Sequence, residues 1–375
     1  MKRLPIQPRA DWQRKVERFG LLWHSPDGAL YWNESAYYQV SPREQREIAD
    51  ATEECYRLFL AAGQRVIDDR LYERFGIPGW AVPMIEAAWE EEPPALNYGR
   101  FDFGCDGQHP PKLFEFNCDT PTSLLEAAVI QGHWLQDQFP HGRQFNDIHD
   151  LLVDKWRDII PYLPAGRVYF MSAGGDALGE DMMTATYLRE TADEAGLVTD
   201  SIMAPDVGWD SARDRFVDLQ NHEIGTLYKL YPWEWLVKEP FGKCIPDAPT
   251  IWIEPAWKML WSNKMILPVL WEMFPGHPNL LETAMTPLGR PAVAKPVLGR
   301  EGRGVSFVDG NAQPDNDPRL GPMVFQSRFD IPEQDGKTPI VGSWIVDGKA
   351  AGIGIREGGR ITDNSSSFVP HIVAE

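Results

Sequence analysis

The chain has 375 residues, 43% hydrophobic and 24% charged, with a formal net charge of −19. That length accommodates two or three domains with substantial cores, and the composition is that of a globular protein. The charge disfavours a nucleic-acid partner, which is held mainly through Lys and Arg; it suits a cationic small molecule, although acidic enzymes also use such charge for solubility.

No apolar run is long enough to span a bilayer, and the basic first residues lead into no apolar signal-peptide core. The four cysteines, Cys55, Cys105, Cys118 and Cys244, are scattered without a CxxC pair. This fits a reducing, cytoplasmic setting rather than a disulfide framework. Cys105 and Cys118 flank one motif, which leaves a bridge or soft-metal site open, but no histidine stands at zinc-ligand spacing. Most of the 15 tryptophans are expected in cores and domain seams.

Residues 1–90 read largely as helix. Ser41, Pro42 and Glu44 form a capping-box start. Ile48, Tyr56, Leu58, Phe59 and Val66 then follow helical spacing. A break at 91–94 precedes two short strands, Arg100-Phe-Asp-Phe103 and Lys112-Leu-Phe-Glu-Phe-Asn117, joined by a polar, Pro-rich loop. Alternation puts Arg100 with Asp102, and Glu115 with Asn117, on one face, opposite Phe101, Phe103, Phe114 and Phe116. Two carboxylates and an amide oxygen suit Mg²⁺ held with substrate phosphates, and an arginine suits a phosphate or carboxylate. An ordinary hairpin with a solvated polar face explains the pattern equally well. Next, either Thr120 before Pro121, or Ser123 with Glu126, caps a helix whose free N–H groups aim back at that face.

A βαβ texture begins near 166, with a strand at 167–172, a glycine-containing turn, a helix at 180–195 and a strand at 198–203. The turn misses GxGxxG spacing and reads better as substrate-facing. Lys229 and Glu234, further on, face a ligand or form a surface pair. Ser262-Asn-Lys264 opens a short helix, and Ala292-Val-Ala-Lys-Pro296 reads as a strand. Residues 299–304 then form a glycine-rich flap before a second strand, able to cover phosphates though not a Walker A loop.

The order of these pieces, ending in Val324-Phe-Gln-Ser-Arg-Phe329, resembles the glutathionylspermidine synthase family in its synthetase portion, above all its short, amidase-free acid–amine ligases. The resemblance runs from about residue 18 to the end and is most specific at 100–126, 262–264 and 294–296. It implies an ATP-grasp fold with a preceding α/β substrate domain, and no amidase activity. The implied division is 1–95, mainly helical; 96–165, metal hairpin and following helices; 166–248, substrate domain; 249–320, small subdomain with the flap; and 321–375, the rest of the core.

The resemblance also implies roles. Asp102, Glu115 and Asn117 match magnesium ligands, for two ions. Arg100, Arg300 and Arg356 match residues facing the reacting groups. Lys264 and Lys295 match ATP lysines, and Gly302 the phosphate cover. Gln326, Ser327, Arg328 and Phe329 match an adenine-side linker, with Ile361 an apolar contact. Thr120, Ser123, Ser172, Glu180, Lys229 and Glu234 are the candidate substrate contacts.

The expected reaction joins a carboxylate to a primary amine, a polyamine among the candidates, through an acyl phosphate at the expense of ATP. A non-catalytic nucleotide- or peptide-binding module and a dinucleotide-dependent oxidoreductase built on 167–172 are the alternatives.

Overall fold

The computed structural model describes residues 1–175, 179–361 and 366–375. Its centre is the predicted hairpin. Tyr98–Gly104 pairs antiparallel with Lys112–Asn117 on one side and with Thr338–Val346 on the other. Lys349–Gly358 and Ser367–Val369 complete this five-stranded sheet. One face packs on the helix Pro42–Asp68, where the Phe59 ring meets Phe101 and Phe116 edge-on at 5.5 and 5.1 Å. The helix begins as its sequence dictates. Glu44 N–H donates to Ser41 Oγ and Ser41 N–H donates to the Glu44 carboxylate. Its stripe of Ile48, Cys55, Leu58, Phe59 and Val66 is buried, each large side chain contributing about 1.5–3 kcal/mol.

A second sheet is parallel throughout, in the order Ile251–Ile253, Thr226–Leu230, Val168–Ser172, Thr199–Met203. The helix Glu180–Glu194 makes the crossover between its last two strands. This is the expected βαβ unit; residues 176–178 of its glycine-containing turn lie outside the described residues. The flap strands Ala292–Pro296 and Ser306–Val308 pair antiparallel, and Met323–Ser327 and Thr283–Ala284 extend their sheet. That sheet crosses the boundary expected at 320.

Residues 1–95 contain more than helix. Lys2–Pro5 and Ala36–Val40 pair with each other, and the latter takes the C-terminal strand His371–Val373 in parallel. The architecture is mixed α/β with several sheets. No helix among the described residues is long and apolar enough to cross a membrane.

Candidate active-site cleft

The polar face of the hairpin lines a cleft instead of lying open on the surface. Arg100 and Asp102 are each only 4% exposed, and they form the floor of a cleft of about 640 Å³. Arg100 donates two hydrogen bonds to the Asp102 carboxylate, at 2.7 and 3.2 Å, and a third to Thr122 O. Its aliphatic stem lies on Gly342, where a Cβ would come within 2.7 Å of Arg100 Cδ. Arg356, on the strand Lys349–Gly358 beyond Thr338–Val346, also donates to Asp102 Oδ2, at 2.9 Å. Burial and the nearby Arg100 pull Arg356 below its ordinary pKa, whereas Asp102 outweighs burial and raises that of Arg100.

Glu115 stands opposite Asp102 in register and pairs with Lys264 at 2.9 Å. Burial alone would raise its pKa, but Lys264 and Lys295 hold its carboxyl well below the usual range. The Asn117 amide donates weakly to both carboxylates, at 3.4 and 3.3 Å. Turning that amide over brings three oxygens together, a donor set that suits a hard divalent cation. Among the described residues no group of three His, Cys, Asp or Glu could hold a metal, so such an ion needs the Asn117 oxygen or groups from its substrate.

Lys295 rises from the first flap strand. Its ammonium donates to Phe114 O at 2.9 Å and Gln326 Oε1 at 2.7 Å. Burial pushes it down to about 8, with Glu115 opposing the shift. The Phe114 ring lies beneath it, 5.5 Å from Nζ. Alternation assigns Phe114 to the core, and this is corrected: the register shifts after Asp102, so that Phe103 faces Leu113 and Phe114 is the extra residue. Such a bulge re-aims a side chain, here into the cleft.

The flap is held down by its own arginine. Arg300 donates to Thr120 Oγ1 at 2.8 Å and to Glu234 Oε1 at 2.6 Å, so three candidate residues from distant parts of the chain meet. Lys264 donates to Gly299 O at 2.8 Å. Gly302 adopts φ +71°, a turn that favours glycine. Away from the hairpin, Gln326, Phe329, Ile361 and Phe307 line the cleft, with Ser327 beside them.

Several candidates are placed otherwise. Arg328 does not line the cleft; it pairs with Asp330 at 2.7 Å and lies over Phe307. The N–H groups of Ser327 and Arg328 already serve Glu282 O and Pro291 O, so they are committed within the fold. Ser172 ends its strand buried and lines neither this cleft nor the smaller one beside it. Lys229 is no surface residue: it is sealed, pairs with Asp119 and donates to Tyr231 O at 3.1 Å. Glu180 does line the cleft, next to Tyr31 and Ser123.

Neither expected cap forms at the helix after the hairpin. Ser123 has φ +66° and its hydroxyl meets Tyr31 Oη at 3.1 Å. Glu126 instead accepts from Tyr31 at 2.7 Å and Trp23 Nε1 at 2.9 Å, a buried carboxyl whose pKa burial raises. Tertiary partners thus displace the local box. Trp23 and Tyr31 line the cleft with no signal in the sequence beyond their size.

Comparison with known proteins is consistent along the whole chain. Residues 3–374 match the family model described as glutathionylspermidine synthase preATP-grasp. A protein of Haemophilus influenzae named "Putative acid--amine ligase" is 38% identical over 99% of both chains. The bifunctional glutathionylspermidine synthetase/amidase of Escherichia coli is 25% identical over 90% of this chain and 59% of its own length. Among solved structures, a glutathione synthetase-like effector of Globodera pallida shares the fold at a TM-score of 0.57 and 10% identity, covering 98% of each chain.

Proposed function

The chain belongs to the glutathionylspermidine synthase family, and thereby to the ligases that form C–N bonds; on that premise we propose that it activates a carboxylate with ATP and passes the acyl group to an amine. The carrying observation is the convergence of Arg100, Arg356, Lys264 and Lys295 around Asp102 and Glu115, with Arg300 lining the same cleft. So many cations at one point suit a triphosphate and a second anion reacting with it. The flap sheet and the hairpin sheet are then the two walls of an ATP grasp. Adenine would lie toward Phe307, Phe329 and Ile361, and phosphates under the flap.

Asp102, Glu115 and Asn117 would hold Mg²⁺, two ions in our reading, which when bound offsets charge developing on the phosphates. Lys264 and Lys295 orient the phosphates. Arg100 and Arg300 draw the substrate carboxylate towards the γ-phosphorus, and the transfer gives ADP and an acyl phosphate. The amine then displaces phosphate, while Arg300, by tying the flap to Thr120 and Glu234, keeps water out. No covalent enzyme intermediate is needed.

The test is ADP release across a library of acids and amines. A ligase releases ADP only when both are present, and the coupled product appears in the mass spectrum. Nucleotide binding without turnover for any pair would reduce the chain to a binding module.

A further inference from the structure

A second cleft, of about 320 Å³, opens off the first and shares Asn117, Thr120, Lys264, Gly299 and Arg300 with it. Nothing in the mechanism above uses its interior. One side of it is apolar, formed by Ile77, Pro78, Trp80, Val237 and Leu298, and Asn117, Thr120, Ser262 and Asn263 supply the polar part of its lining. Its charged lining is three cations, Lys238, Lys264 and Arg300, against two carboxylates, Asp119 and Glu234. Both carboxylates are committed, Asp119 to Lys229 and the Trp233 N–H, Glu234 to Arg300, and two of the cations are committed as well, Arg300 to Glu234 and Lys264 to Glu115. The Lys238 ammonium, at the exposed rim, has no ion-pair or hydrogen-bond partner among the described residues. In a chain of net charge −19, a locally positive pocket with one apolar side selects for an amphipathic anion.

We propose that this pocket holds the acid substrate, and that the acid has an apolar body instead of a polar peptide chain. Its reacting carboxylate lies at the inner mouth, between Lys264 and Arg300. Its body packs on Ile77, Trp80, Val237 and Leu298, and Lys238 draws it in from solvent. The amine is not the occupant, because an ammonium would meet the unpaired Lys238 ammonium and no uncommitted carboxylate. The volume lies near the low end of the range for small-molecule sites, about 300–1,000 Å³, which suits a compact acid.

This inference rests on the ligase reading, and one assay separates the two. Hydroxylamine replaces the unknown amine, displacing phosphate from any acyl phosphate to leave a hydroxamate. The acids are hexanoate and 3-phenylpropionate on one side, glutathione and glycylglycine on the other. We expect the apolar acids to be preferred in kcat/KM by at least about tenfold, the discrimination an apolar pocket supplies. Ile77→Trp, which fills the pocket, should raise their KM by about tenfold with the KM for ATP unchanged. Lys238→Ala, an exposed change that leaves the fold intact, should raise it by about threefold at low salt and less at high salt. Preference for the peptides, with both variants unaltered, overturns the inference and leaves the ligase standing. Hydroxamate from no acid of either kind overturns both.

Discussion

Apart from the pairs on its outer surface, the molecule holds ion pairs sealed behind the cleft and ion pairs on the cleft wall, and the two differ in access rather than in chemistry. Behind the cleft, Lys229 with Asp119 and Lys258 with Glu254 have side chains at most 1% exposed. In the cleft, Arg356 with Asp102 and Lys264 with Glu115 keep an edge toward solvent, Glu115 at 27%. A sealed pair has nothing to exchange with, so breaking it strands a charge in the interior. A pair on a cleft wall can trade its partner for a phosphate or a cation, and its charges serve both the empty and the filled state. Sealed pairs therefore report on folding and cleft pairs on chemistry.

The largest expected effect breaks a sealed pair. Lys229→Met leaves Asp119 uncompensated and should cost about 3–5 kcal/mol in denaturant unfolding. A parental midpoint would erase the distinction between the two kinds. Glu115→Gln should do the reverse: a smaller loss of stability than Lys229→Met, since Lys264 keeps access to solvent and to Gly299 O, but Mg²⁺-dependent turnover down by about 100-fold. Parental turnover at limiting Mg²⁺ would remove Glu115 from the metal site.

Lys295→Met should weaken binding of a non-hydrolysable ATP analogue by about tenfold or more in calorimetry, the loss of a charged hydrogen bond. Lys295→Arg should restore only part of it, since a planar fork cannot replace a compact ammonium between Phe114 O and Gln326. Equal affinities would leave Lys295 a packing residue whose stem covers the sheet.

A change seen only in acid sharpens the comparison with a third case, a buried group with no counter-charge. His371 is sealed in its strand, bonded to Gln131 and the Phe145 N–H, and burial pushes its pKa down from 6.5 to about 3. A depressed histidine stabilises the fold above its unfolded pKa, and that contribution is lost as pH falls from 6.5 toward 3. His371→Gln should flatten the slope of unfolding free energy below pH 6.5. An unchanged slope would show that other groups set it.

What the sequence discloses depends on the range of the interaction. The alternation of Arg100 with Asp102 and of Glu115 with Asn117 is local, and both pairs face one cleft. The capping box at Ser41 is local too and forms as spaced. The same pattern at Ser123 and Glu126 fails because Trp23 and Tyr31, about a hundred residues away, claim the carboxyl. Phe114 escapes alternation because a bulge carries no composition of its own. Lys229 looks like a surface lysine because Asp119, its partner, is 110 positions earlier. The strands Lys2–Pro5 and Ala36–Val40 are short, and besides each other their sheet needs His371–Val373 from the far end of the chain, which pairs with Ala36–Val40.

In the proposed reaction a carboxylate attacks the γ-phosphate, and isotope transfer follows that bond directly. An accepted acid labelled with ¹⁸O in its carboxylate is turned over with ATP and an amine, and the nucleotide and phosphate are weighed. Attack at the γ-phosphorus gives ADP, and inorganic phosphate carrying one ¹⁸O from the acid. Pyrophosphate with labelled AMP, or phosphate without label, would contradict it.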